Sequence, residues 1–297
     1  MDQVLTCILN NKAGSNSARN VEGLVARIAA QRGWQAIFPS LADGIDLKAV
    51  AGKASVACGL VVAGGGDGTI AAVASALVGS TTCLGVLPMG TLNHFAKDVG
   101  IPLDLEEAVQ TLFTGKVTQV DVGEVNGHIF LNNSSIGFYP RIVVEREREQ
   151  RHGRSKWTAF VRAAALVAQK HRTMHVELDI DNSTRQSYET PFVFIGNNRY
   201  KLAGTQIGTR ASLDGGKLWV CAAPNAGRGK MAVLALEALL GLVQVGDLPT
   251  FESMRIDVNM HLHEALVATD GEVKMMRTPL HYRSRPRALR VLIPAAD

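Results

Sequence analysis

Three consecutive glycines set between a buried-strand pattern and an alanine-rich helical pattern fix the character of the first third of this chain. Residues 61–96 read VVAGGGDGTIAAVASALVGSTTCLGVLPMGTLNHFA. The apolar run at 60–63 predicts a buried parallel strand. Gly64, Gly65 and Gly66 follow, then Asp67, Gly68 and Thr69, then a helical run over 70–78. A second strand over 84–87 ends in Pro88-Met89-Gly90-Thr91-Leu92-Asn93, with another helix starting near His94. Strand, glycine loop and helix start suit a phosphate. Glycines let the backbone approach an anion and adopt positive φ, and the helix that follows aims its unpaired N–H groups at the same place. Thr69 is expected to cap that helix or to donate its hydroxyl. Asp67 repels phosphate, so its carboxylate is expected to hold a metal ion, orient a hydroxyl or act as a base. The plain alternative is a tight strand-to-helix turn with a cap.

Two familiar phosphate loops are absent. No G-x-x-x-x-G-K-[ST] occurs, which excludes a P-loop. Thr69 stands where the dinucleotide pattern G-x-G-x-x-G needs its third glycine.

GGGDGT at 64–69, followed by LPMGTLNHFAKDVGIP at 87–102, resembles the diacylglycerol kinase and sphingosine kinase catalytic family, in its soluble bacterial lipid kinase branch. The resemblance implies an ATP-dependent lipid kinase that phosphorylates a hydroxyl of diacylglycerol or a related lipid alcohol. ATP and Mg²⁺ would lie among three loops, carried here by Asn10 and Gly14, by Gly65, Gly66, Asp67, Gly68 and Thr69, and by Thr91 and Asn93. Asn11 stands where the family's first loop has proline, and His94 where its third loop has an acidic residue. GGDGT by itself also fits NAD kinases, so a soluble-metabolite kinase of that type is one alternative. A non-catalytic lipid-binding relative is another.

With 297 residues the chain accommodates two domains. The predicted fold class is α/β: an N-terminal nucleotide-binding domain with a mainly parallel sheet over 1–121, and a mostly antiparallel β-sandwich over 122–287 that receives the lipid. The resemblance implies that a final strand at 288–293 returns to the first domain. Strands are expected at 4–9 and 34–38, with a helix between them over 17–31 capped by Ser17. Asn126-Gly127 is a strong two-residue hairpin signal inside 122–131. Further strands are expected at 175–180, 188–195 and 218–222, with a turn at Asp181-Asn182. The segments 132–138 and 195–198 resemble family turns near the cleft between domains, and read equally as ordinary strand ends. Asp214 neighbours a family segment that supports a structural magnesium site, but Gly215 takes the matching position and no metal ligand is assigned.

Residues 141–172 carry nine Lys/Arg and three Glu, a local charge of +6 against −2 for the remainder. Trp157, Phe160, Val161, Ala164, Ala165 and Ala168 fall at helical spacing, and Arg146, Arg148, Arg151, Arg154 and Lys156 crowd the first half. This reads either as a solvated helix on its own domain or as an interfacial helix docking on anionic lipid. A net charge of +4 is too small to argue for nucleic acid. The four scattered cysteines read as reduced thiols, buried at Cys7, Cys83 and Cys221. The expected location is cytoplasmic with peripheral membrane association; a homodimer stays open. Residues 231–243 read as an apolar packing helix.

The last informative motif is Thr269-Asp270-Gly271-Glu272 after an apolar strand over 265–268. Alone it is a turn signal. In the family it resembles, this motif lies in the interdomain cleft, and its carboxylates are implicated in activating the acceptor hydroxyl. Glu272 is assigned that role first and Asp270 second.

Overall fold

The computed structural model describes residues 3–10, 18–42, 44–138, 140–141, 143–144, 173–200, 210–222 and 250–295. The chain divides into two compact units, Met1–Val122 with Pro286–Asp297, and Gly123–Arg285. The first is α/β with a parallel sheet and the second an antiparallel β-sandwich.

The first unit alternates strand and helix: β1 (Val4–Leu9), α1 (Ala18–Gln31), β2 (Gln35–Ile37), α2 (Leu47–Ala57), β3 (Leu60–Gly65), α3 (Asp67–Leu77), β4 (Cys83–Pro88), α4 (His94–Asp98), α5 (Leu105–Thr114) and β5 (Lys116–Val125). Parallel pairing runs β2-β1-β3-β4, so β1 is flanked by β2 on one side and β3 on the other, and the strand order reverses there. In open α/β sheets, ligands bind beyond the carboxyl ends of the strands where the order reverses in this way. β1, β3 and β4 are almost wholly buried and apolar, as strands covered on both faces must be. α2 packs on α3, and α1 on α5. Asp46 and Asp104 cap α2 and α5, each accepting two backbone N–H groups of the first turn. The expected cap Ser17 and residues 11–17 lie outside the described residues.

The second unit continues with β6 (His128–Phe130), β7 (Asn133–Gly137), β8 (Met174–Ile180), β9 (Thr184–Thr190), β10 (Phe192–Asn197), β11 (Leu218–Ala222), β12 (Thr250–Ser253), β13 (Arg255–Met260), β14 (Glu264–Thr269), β15 (Glu272–Arg277) and β16 (Leu280–Ile293). One antiparallel sheet runs β12-β11-β10-β7-β14-β15. In the other, β9, β8 and β13 follow the first half of β16. Their inner faces share one core that includes Phe130, Ile136, Leu178, Ile195, Val220, Val258, Val267 and Tyr282. Burying each such side chain contributes about 1.5–3 kcal/mol. Asn126 and Gly127 turn β5 into β6 with φ of 46° and 80°, as the hairpin signal predicts.

Two strand expectations need correction. The single strand expected over 188–195 is two strands in different sheets, β9 and β10, separated at Pro191, which has no N–H to give a ladder. The final strand begins at Leu280 rather than 288, and its last part pairs in parallel with β4 at Val291 and Leu84. Pro286 and the positive φ of Arg287 interrupt it midway, and the Arg287 N–H donates to Asp121 Oδ1 at 2.8 Å. The helices expected over 141–172 and 231–243 lie outside the described residues, apart from a few positions at the start of the first. Among the described residues no helix is long and apolar enough to cross a membrane, a finding silent on β-barrels.

Candidate active site

In the first unit Asn10 and the predicted loops at 65–69 and 90–93 converge at the carboxyl ends of β1, β3 and β4. The Asn10 N–H donates to the Gly64 carbonyl at 2.8 Å, and Asn10 Nδ2 donates to Thr69 Oγ1 at 3.0 Å. The Met89 N–H donates to the Gly65 carbonyl at 3.1 Å. Asp67 ties the second loop to the third: Oδ2 accepts the His94 N–H at 3.2 Å and Oδ1 the Phe95 N–H at 3.1 Å. Asn93, the residue before α4, makes no side-chain cap of its own. Asp67 therefore does for α4, from a distant loop, what a capping residue does locally. Asn93 has φ of 52° and spends its carboxamide on Gly90, whose N–H it accepts at 2.9 Å and whose carbonyl it meets at 3.0 Å. Thr91 is exposed beside it. Gly14 lies outside the described residues.

The glycines are used differently from the expectation. β3 runs through Gly64 and Gly65, which pair with Leu87 and Pro88, and only Gly66 separates strand from helix. None of Gly64, Gly65, Gly66, Gly68 and Gly90 has positive φ. Close packing, not positive φ, requires glycine at positions 64, 65 and 90. A Cβ on Gly64 would stand 2.4 Å from the Leu9 side chain, and one on Gly90 2.5 Å from the Gly66 Cα. Thr69 does not cap α3; Gly66 occupies that position, and Thr69 sits inside the first turn receiving Asn10.

In the second unit, Asp270 and Gly271 form the two-residue turn between β14 and β15, with φ of 47° and 85°. The turn sets Thr269 opposite Glu272. The Asp270 carboxylate accepts three backbone N–H groups, from Leu131 at 2.7 Å, Asn132 at 2.8 Å and Asn133 at 3.2 Å. Successive N–H groups aimed at one anion form such a nest. Glu272, exposed at the start of β15, has no donor on its carboxylate among the described residues. The carbonyl side of the 131–133 turn is held as well. Asn197 Nδ2 and Arg210 Nη1 donate to the Leu131 carbonyl at 2.8 and 2.6 Å, and Tyr200 Oη to that of Asn132 at 3.1 Å. Arg210 and Asn197 are buried. Sequence reasoning singled out Asn132, Asn133 and Asn197, and missed Tyr200 and Arg210, which no motif marks.

Residues 4–125 match the family model of the diacylglycerol kinase catalytic domain, and residues 141–293 that of the YegS C-terminal NAD kinase beta sandwich-like domain. The chain belongs to the YegS-like branch of the diacylglycerol kinase family. Proteins named probable lipid kinase YegS-like from Yersinia pestis (strain Pestoides F) and Yersinia pseudotuberculosis serotype O:1b (strain IP 31758) are each 38% identical over 150 residues. Each match covers 46% of this chain and 48% of the relative, so the chain spans about half the length of the curated relatives it matches. A structure titled as a putative diacylglycerol kinase from Bacillus anthracis str. Sterne aligns at TM-score 0.79 and 21% identity, covering 99% of both chains. An NAD kinase from Archaeoglobus fulgidus in complex with ATP aligns at TM-score 0.53 and 10% identity, covering 97% of this chain and 93% of its own. These two likenesses show the fold.

For this YegS-like chain the metal question turns on the donor set. Among the described residues no three His, Cys, Asp or Glu side chains gather as a metal site. Asp214 is exposed and accepts the Ser212 hydroxyl at 2.6 Å. Mg²⁺ that arrives with a nucleotide keeps several waters and takes one or two carboxylates besides the phosphates. Asp67, half-buried and engaged through a single N–H on each oxygen, fits that requirement; a cage built wholly of protein ligands does not.

Proposed function

We propose that this chain is an ATP-dependent lipid kinase that transfers the γ-phosphate to a hydroxyl of diacylglycerol or a related lipid alcohol. The observation that carries the reading is the convergence of Asn10, Asp67, Thr69, Gly90 and Asn93 at the carboxyl ends of the first unit's parallel strands. Membership of the family supports it.

The geometry within each unit supports the following roles. Gly66, Gly68 and Gly90 leave the loop backbone uncovered by side chains, so that phosphates approach it closely. Asp67 holds α4 in place and would help to hold a metal ion that arrives with the nucleotide. Mg²⁺ would neutralise phosphate charge when bound. Thr91 offers an exposed hydroxyl, while Asn93 keeps the loop in shape. Asp270 and Glu272 separate in function. A carboxylate that accepts three N–H groups is stabilised as the anion and is a poor proton acceptor. Glu272 is the base that removes the proton from the lipid hydroxyl, a contribution of about 10²- to 10⁴-fold. Asp270 holds the turn that carries it. The remaining acceleration comes from positioning and charge neutralisation.

We further infer that the basic stretch 141–172 holds the enzyme at anionic lipid surfaces. The deciding experiment incubates the protein with Mg²⁺, radiolabelled ATP and mixed micelles carrying a panel of lipid alcohols, with NAD in a parallel reaction. Label in an organic-extractable phospholipid is the expected result. Label on NAD instead would replace this reading with the soluble-metabolite kinase. ATP binding without transfer to any acceptor would favour the non-catalytic relative.

A further inference from the structure

The peptide unit between Leu131 and Asn132 is held from both ends by opposite charges. Its N–H, from Asn132, donates to the Asp270 carboxylate at 2.8 Å. Its carbonyl, on Leu131, accepts from Arg210 Nη1 at 2.6 Å and from Asn197 Nδ2 at 2.8 Å. Anion and cation polarise the same amide in the same sense, and each strengthens the hydrogen bond made by the other. The next peptide unit repeats the arrangement: the Asn133 N–H donates to Asp270 at 3.2 Å, and the Asn132 carbonyl accepts from Tyr200 Oη at 3.1 Å. Arg210 Nη2 also reaches Asn132 Oδ1, and Nη1 the Asn197 carbonyl, both at 3.4 Å. Arg210 is 6% exposed. A guanidinium taken out of water at such cost is retained only where its fork of donors is used.

We propose that Arg210 is a positioning residue for Glu272. It acts through the 131–133 turn, which fixes Asp270, whose turn in turn sets where β15 begins and so where the Glu272 carboxylate stands. The proposal rests on the reading of Glu272 as the base. It gives a function to a buried charge that no motif marks. A lysine keeps the charge but lacks the fork, and cannot serve the Leu131 carbonyl and Asn132 Oδ1 together.

The test measures kcat and KM for both substrates in Arg210→Ala, Arg210→Lys and Glu272→Gln, with added guanidinium as a rescuing probe. Misplacing a reacting group by an ångström costs about 10²-fold. Arg210→Ala is therefore expected to lose about 10²-fold in kcat with KM for ATP unchanged, since the nucleotide loops belong to the other unit. Arg210→Lys is expected to be intermediate. Guanidinium should restore Arg210→Ala and leave Glu272→Gln inactive. If Arg210→Ala does not fold, Arg210→Lys decides alone: folded protein with parental kcat overturns the proposal. So does a loss in Arg210→Ala that appears equally in KM for ATP and resists guanidinium. Transfer retained by Glu272→Gln would remove the base assignment itself. An inactive Glu272→Gln beside a fully active Arg210→Lys would remove the positioning role alone.

Discussion

The carboxylate of Asp270 receives the backbone N–H of Leu131 at 2.7 Å across 139 residues of sequence. This contact joins the end of β14 to the turn before β7, and two further N–H groups reinforce it. Hydrogen bonds to a charged acceptor contribute about 1.5–3 kcal/mol each, and breaking one side leaves the donors exposed to the cost of burial. Asp270→Ala should therefore lose activity and stability together, with a fall of several kcal/mol in urea unfolding. Glu272→Gln should lose phosphoryl transfer with its unfolding midpoint unchanged. A Glu272→Gln variant that unfolds as early as Asp270→Ala would contradict the division of roles.

Asp67 stands between two loops rather than in one. Asp67→Ala removes the acceptor for His94 and Phe95 and should cost about 1 kcal/mol, as loss of a cap does. Phosphoryl transfer should vanish while the protein stays folded. Calorimetric titration with nucleotide in the presence and absence of Mg²⁺ checks the metal role: the variant should lose the magnesium-dependent part of the affinity.

Glycines in this chain answer to different constraints, and substitution separates them. A Cβ on Gly90 would lie 2.5 Å from the Gly66 Cα, and backbone on backbone has no room to yield. Gly90→Ala should abolish nucleotide binding and lower the melting temperature. Gly52 lies within α2 with nothing within 4 Å of a Cβ. Gly52→Ala should raise stability by about 0.5–1 kcal/mol, because alanine loses less backbone freedom in a helix.

The thiols yield a pH prediction. Burial pushes Cys83 from 9.0 to about 11 and Cys221 from 9.0 to about 12, and raises Cys7 still further. Their folded-state values are raised, so the stability they contribute is complete below pH 9.0 and is lost as the pH rises through the folded values. Stability should fall from pH 9.0 toward 12, and Cys221→Ala should flatten that decline. Cys58, partly exposed, should be the thiol that reacts first with a thiol reagent in native protein.

The charge of residues 141–172 predicts a salt effect. Sedimentation with anionic vesicles should weaken as ionic strength rises, because screening shortens the reach of surface charge to about 8 Å at physiological salt. Binding indifferent to salt and to lipid charge would exclude the docking role.

What the sequence disclosed and what it hid follow from the range of the interactions involved. The strand, glycine and helix succession around Gly66 and the Asn126-Gly127 hairpin are local, and the residues state them directly. β16 was half hidden because His281, Arg283 and Arg285 alternate with inward Tyr282 and Ser284 and then meet Pro286, so the run reads as a polar loop. The β9–β10 boundary was hidden because Pro191 sits in an otherwise continuous strand pattern. At the candidate site, Asp67, Asp270 and Glu272 were legible as acids beside glycines. That Asp270 would face inward onto three N–H groups, and Arg210 be buried beneath the same turn, depended on partners far away in sequence, which no local pattern encodes.

β4 has β3 as one parallel neighbour and receives the other only at Val291, after the chain has left the first unit at Val122 and returned to it at Pro286. Synthesis therefore delivers the unit named second before it completes the one named first. On the ribosome, the glycine-bearing strands emerge early and wait for a partner that is more than a hundred residues away. The sandwich can close in the meantime, and β16, drawn out as its last strand, then carries the chain back to finish the parallel sheet of the first unit.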